Sequence, residues 1–173
     1  MVRNLEAIYK LVESVLDDTV IINYESDYAK RLELQKLIYL FQEISNRSLG
    51  FDFSWYLAGP YSKVLTHTVF NNILKNLSDI KQRAGEKSFR DDVIDIIDKM
   101  KKLLLEENYE QLGLSRPQWF ELLASIVYLN KNSKYINIEN LPEELASAKS
   151  HFKQEQVKYG ISILEKYVPE VIV

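Results

Sequence analysis

Leu34-Gln35-Lys36-Leu37-Ile38-Tyr39-Leu40-Phe41 and, after a polar break, Phe51-Asp52-Phe53-Ser54-Trp55-Tyr56-Leu57-Ala58-Gly59-Pro60-Tyr61-Ser62 form the densest aromatic stretch of the chain. The first segment sits in a helical pattern from Tyr28 to about Ile44. There Leu34, Leu37, Ile38 and Phe41 make an apolar face, and Lys30, Arg31, Glu33 and Lys36 lie in or beside a charged one. In the second, Phe51, Phe53, Trp55 and Leu57 alternate with Asp52, Ser54 and Tyr56, the period of a short half-buried strand over residues 51–57. Gly59-Pro60 then predicts a sharp turn into a following helix, because Gly opens backbone angles closed to other residues and Pro suits a first helical turn.

Outward from this stretch the pattern is helical. Leu5, Ile8, Tyr9, Val12, Val15 and Leu16 predict a first amphipathic helix, and Val20-Ile21-Ile22 is too short to assign. Val64, Leu65, Val69, Ile73, Leu74 and Leu77 predict a helix that stops before a polar loop, Lys81 to Lys87. Ser88, with Asp91 three residues on, reads as the cap of a helix through Val93, Ile94, Ile97, Met100 and Leu104. Ser115-Arg116-Pro117-Gln118 has capping-box spacing but places a residue before Pro in a helical position, so either Ser115 or Arg116 is the cap. The helix through Trp119, Phe120, Leu122, Leu123, Ile126 and Val127 has more than half its surface apolar and should be engulfed. A polar linker, Asn130 to Asn137, is expected to end in a short extended piece at Tyr135 and Ile136. Pro142 then opens a short helix, and a last one spans Gln154 to Tyr167, closed by Pro169. The expected fold is mainly α, a single multi-helix domain over residues 1–173 with at most a short strand or hairpin near residues 51–57.

Composition narrows the function. With 173 residues and 46% hydrophobic content the chain suits one sizeable core. A net charge of -3 speaks against a generally basic nucleic-acid binder and toward a protein partner, with a second copy of the chain as another candidate partner. The absence of cysteine removes disulfides, thiolate nucleophiles and Cys-based zinc sites. Met1 to Lys10 lacks a continuous apolar core and nothing is long enough to span a bilayer, so the expectation is a cytoplasmic protein without a membrane segment.

The pairing of Leu34-Gln35-Lys36-Leu37-Ile38-Tyr39 with Trp55-Tyr56 and Gly59-Pro60-Tyr61-Ser62 resembles the YwgA-like proteins of bacteria and archaea. More distantly it is similar to the SocA-type antitoxin domain, also called Panacea. The likeness is clearest over residues 30–70, with a weaker echo in Leu122-Leu123-Ala124-Ser125-Ile126-Val127-Tyr128-Leu129. It implies a compact helical fold and, from the SocA-type side, a role in binding and neutralising a toxin. The motif carries no catalytic residue.

Chemistry is sparse. His67 shares a stripe with Phe70 and Leu74 and reads as a partly buried packing residue, whereas His151 lies between helices and reads as solvated. Neither has an acid at ligand spacing in its helix, and no metal or cofactor is expected. Asp17-Asp18, Asp91-Asp92 and Glu143-Glu144 sit on polar faces or in first turns, where the helix dipole favours them. The five glycines form no phosphate-binding loop. Two surfaces remain. Trp55, Tyr56, Gly59, Pro60, Tyr61 and Ser62, with Gln35 and Lys36 as polar contacts, make either a packed structural corner or an aromatic partner-binding surface. Lys81, Arg83, Lys87 and Arg90 are the alternative, a basic loop for nucleic-acid phosphates in a transcriptional regulator, although acids interleave with them.

Overall fold

Asp27 starts the central helix: its Oδ1 accepts from the backbone N–H groups of Ala29 and Lys30, and the helix runs to Asn46, which ends it in the left-handed region at φ 52°. The computed structural model describes residues 4–172; Met1 to Arg3, the start of the Met1 to Lys10 segment read above, and Val173 lie outside the described residues. In chain order the helices are α1 (Leu5–Val15), α2 (Thr19–Ile22), α3 (Tyr28–Ser45), α4 (Lys63–Thr68), α5 (Leu77–Gly85), α6 (Asp91–Lys101), α7 (Arg116–Asn132), α8 (Leu141–Ala148) and α9 (Gln154–Tyr167). Two strands, β1 (Ser54–Tyr56) and β2 (Gly59–Tyr61), form an antiparallel hairpin between α3 and α4. The fold is mainly α, as the pattern predicts.

α3 and α7 pack on each other at the centre, and one hydrophobic core joins residues from Ile8 to Val168. α3 is buried continuously from Leu32 to Phe41, and α7 from Trp119 to Val127. Ser115, not Arg116, caps α7: Ser115 and Gln118 complete a reciprocal capping box with Pro117 in the first turn. Arg116 is thereby free to reach Glu33 on α3, its Nε and Nη2 donating at 3.0 and 2.7 Å. Glu33 and Lys36, assigned by pattern to a charged face, are both buried.

Four other expectations change. Residues 81–85 are helical rather than a loop, because Ile80 and Ala84 bury against α1 and leave the polar residues outward. Arg90, not Ser88, occupies the position before α6, without a side-chain cap, and Ile94 is exposed. α7 continues to Asn132, and Tyr135 and Ile136 form no strand. Between α4 and α5 the chain stays helical through a π segment, Val69–Ile73, and a single 3-10 turn, Leu74–Asn76. α9 has the bounds read from the sequence, and beyond it Val168 is buried while Val171 and Ile172 lie against the same core.

Arg116→Met would leave the Glu33 carboxylate buried, with Lys30, 3.9 Å away, as its remaining ion-pair partner among the described residues. Urea unfolding should show a loss of about 3 kcal/mol, and Glu33→Gln in the same chain should recover part of it.

Candidate functional site

The aromatic stretch is a hairpin, not one strand followed by a corner. Ser54 pairs with Tyr61, Trp55 with Pro60 and Tyr56 with Gly59, so Leu57-Ala58 is the turn and Gly59-Pro60 belongs to β2. Leu57 therefore leaves the buried side on which alternation places it and stands 81% exposed. Gly59 takes φ +82°, and a Cβ there would lie 2.5 Å from the Ser125 hydroxyl, so only glycine lets the hairpin rest on α7. Ser62 ends the hairpin and caps α4, its Oγ accepting from the Leu65 N–H.

Two buried lysines hold this hairpin. Lys36 Nζ on α3 donates to the Pro60 carbonyl at 2.6 Å. Lys149 Nζ, just past α8, donates to the Leu57 carbonyl, lies 4.9 Å from the centre of the Trp55 ring and pairs with Glu121 at 3.4 Å. His151 Nε2 also lies 3.2 Å from the Glu121 carboxylate. Beside Lys36, the Gln35 amide brackets Ser62, donating to its carbonyl at 3.0 Å and accepting from its N–H at 2.9 Å. The same amide donates to Thr66 Oγ1, which also bonds the Tyr61 hydroxyl. Gln35 and Lys36, expected as surface contacts, are thus internal supports.

Burial lowers the Lys36 pKa from the ordinary lysine value to about 7; the Glu121 charge opposes that shift and Lys149 adds to it. No carboxylate reaches Lys36 within ion-pair distance among the described residues.

Between α3 and the hairpin lies a cavity of about 250 Å³. Tyr28, Arg31, Leu32, Gln35 and Lys36 line it from the helix, and Tyr56, Leu57, Ala58, Gly59 and Tyr61 from the hairpin. Its mouth gathers three exposed large side chains, Tyr28 (63%), Tyr56 (56%) and Leu57. The Tyr56 and Tyr61 rings lie 5.5 Å apart, whereas Trp55 is half-buried against Tyr128. Of the residues read as a contact surface, Gln35, Lys36, Tyr56, Gly59 and Tyr61 line the cavity, while Trp55, Pro60 and Ser62 do not, and Pro60 and Ser62 are buried. Tyr28, Arg31 and Leu57 were missed. The signal was present for the first two, since 28, 31, 32, 35 and 36 follow helical spacing along one stripe; Leu57 needed the turn.

The other candidate residues are scattered. Lys81 pairs with Asp18, Arg83 with Glu6 and Arg90 with Asp92, leaving Lys87 as the member of that basic group without an ion pair among the described residues. Arg90 and Arg47 hold the Asp92 carboxyl well below the usual carboxylate range. His67 is exposed rather than packed, because its position on α4 turns it toward Asn71, whose amide lies 3.1 Å away. No group of three or more metal-ligating side chains assembles among the described residues. No described helix is long and apolar enough to cross a membrane. No family model, curated protein or solved structure matches the chain.

Two outcomes follow. Lys36→Met should cost about 1–3 kcal/mol by orphaning the Pro60 carbonyl. Because the folded-state pKa of Lys36 is the lower one, its protonation penalises folding fully below pH of about 7, and wild-type stability gains as pH rises toward the free-lysine value of 10.5. The cost of Lys36→Met should therefore be larger at pH 9 than at pH 6, as read by urea titration at each pH. Gly59→Ala should lose about 1–2 kcal/mol to its left-handed backbone, plus the clash with Ser125. Adding Ser125→Ala should remove the clash component alone, which thermal unfolding of the single and double variants would separate.

Proposed function

We propose that this chain is a non-enzymatic protein-interaction domain, an antitoxin-like adaptor or regulator that takes a protein partner at the cleft between α3 and the hairpin. The observation that carries this reading is the gathering of exposed Tyr28, Tyr56 and Leu57 around one cavity, on a hairpin that Lys36, Lys149 and Gln35 hold rigid. Rigid aromatic and aliphatic side chains around a concavity have the character of interface hot spots, since little conformational entropy is lost when they are covered.

The resemblance to YwgA-like and SocA-type proteins supports the same class of role. Its two motif halves touch in this chain, Gln35 on Ser62 and Lys36 on Pro60, so the shared residues build the support and the rim above it is free to differ between partners. The pairing of Lys81, Arg83 and Arg90 with acids lends no comparable support to nucleic-acid binding.

Capture from an extract of the source cells tests the reading. A partner retained after nuclease treatment should bind about tenfold or more weakly to Tyr56→Ala/Leu57→Ser, a double change at exposed positions that leaves the fold intact. Lys87→Ala should behave as wild type. Unchanged capture by the double variant, or a partner lost with nuclease and with Lys87→Ala, overturns the assignment.

A further inference from the structure

The cleft has a polarity that the aromatic rim alone does not explain. Both basic side chains that line it, Arg31 and Lys36, come from α3, and the hairpin side is aromatic and aliphatic; no Asp or Glu lines it among the described residues. Arg31 Nη1 donates to the Tyr24 and Glu25 carbonyls, at 3.3 and 2.7 Å, and the guanidinium pairs with no carboxylate among the described residues. Lys36 is 98% buried on a single carbonyl. Behind the hairpin, Glu121 pairs with Lys149 at 3.4 Å and acts on Lys36 only through its field, without contact. A buried cation without a paired anion is costly, and a carboxylate entering the cavity would supply the missing charge.

A volume of about 250 Å³ accommodates roughly one large residue rather than a helix or a long segment. A chain end places a carboxylate and an apolar side chain on the same carbon, which matches cations on one wall and Tyr56, Leu57 and Tyr61 on the other. An internal acidic side chain offers the charge without the apolar group. We propose that the cleft receives the C-terminal residue of a partner chain, its free carboxylate toward Arg31 and Lys36 and its apolar side chain against the hairpin. The inference rests on the protein-interaction reading above and specifies what enters the site.

Dye-labelled hexapeptides ending in Leu or Phe, each made as the free acid and as the C-terminal amide, test it by fluorescence anisotropy on the full chain. The acids should bind at least about tenfold tighter than the amides, the difference expected when one charge-assisted contact is lost. Arg31→Gln should erase that preference. Leu57→Glu, at an exposed position, should weaken both by removing an apolar contact, and the acids more than the amides by charge repulsion. Equal binding of acid and amide, no binding of the acids at millimolar concentration, or a preference that survives Arg31→Gln overturns the proposal. So does full displacement of the peptide by 3-phenylpropanoate at the peptide's own affinity, which would make the cavity a site for small free acids. Any of these results beside a nuclease-resistant partner that Tyr56→Ala/Leu57→Ser loses would leave the interaction reading standing, while unchanged capture by that variant removes both.

Discussion

A lysine amine on a proline carbonyl governs the hairpin end of this molecule. Strands of three residues do not hold a hairpin by themselves, and a two-stranded ribbon in water is marginal. Here Lys36 and Lys149 seize the Pro60 and Leu57 carbonyls and Gln35 brackets Ser62, so the ribbon inherits the rigidity of α3 and of the α7–α8 region. The long, unbranched lysine stem crosses from the helix through apolar surroundings and delivers a strong donor to a carbonyl that water does not reach. The same burial suppresses the charge of Lys36, which makes the support of the hairpin and the electrostatics of the cleft two aspects of one side chain.

The centre of the fold is consequently less oily than its helices suggest. α3 and α7 bring Glu33, Gln35, Lys36, Glu121 and Ser125 inside with their aliphatic neighbours. Most of these groups find a partner across an element boundary: Glu33 on Arg116, Gln35 on Ser62, Glu121 on Lys149. Ser125 does not; its hydroxyl is buried without a hydrogen bond among the described residues, directly below Gly59. Such cross-links fix helix register more narrowly than apolar packing does, because each requires a particular distance and direction.

Helical periodicity was enough to find α1, α3 and α9 and the engulfed middle of α7, since each carries a dense apolar stripe. It failed where stripe and composition diverge. α5 looks like a loop because only Ile80 and Ala84 of its residues are buried, and two residues in nine leave little pattern. The hairpin was half legible: Phe51, Phe53 and Trp55 do lie on the inner side, but nothing local says that Gly59-Pro60 pairs back onto Trp55-Tyr56 rather than turning away. The roles of Gln35 and Lys36 were hidden for a further reason. Their residue types indicate solvent, and only the arrival of Pro60 and Ser62, more than twenty positions later, turns them inward.

The π segment between α4 and α5 has its own consequence for how this chain tolerates change. Leu65, Val69 and Ile73 are buried at successive steps of four, a spacing that drifts around an ordinary helix by about 40° per step. The wider π turn absorbs that drift and keeps the row in line. Residues 69–73 therefore act as a phase corrector between the hairpin's exit helix and the helix that covers α1. Length is more constrained there than identity: Asn72, exposed to water, accepts many side chains, yet its deletion would rotate Ile80 and Ala84 away from the core by roughly 100°.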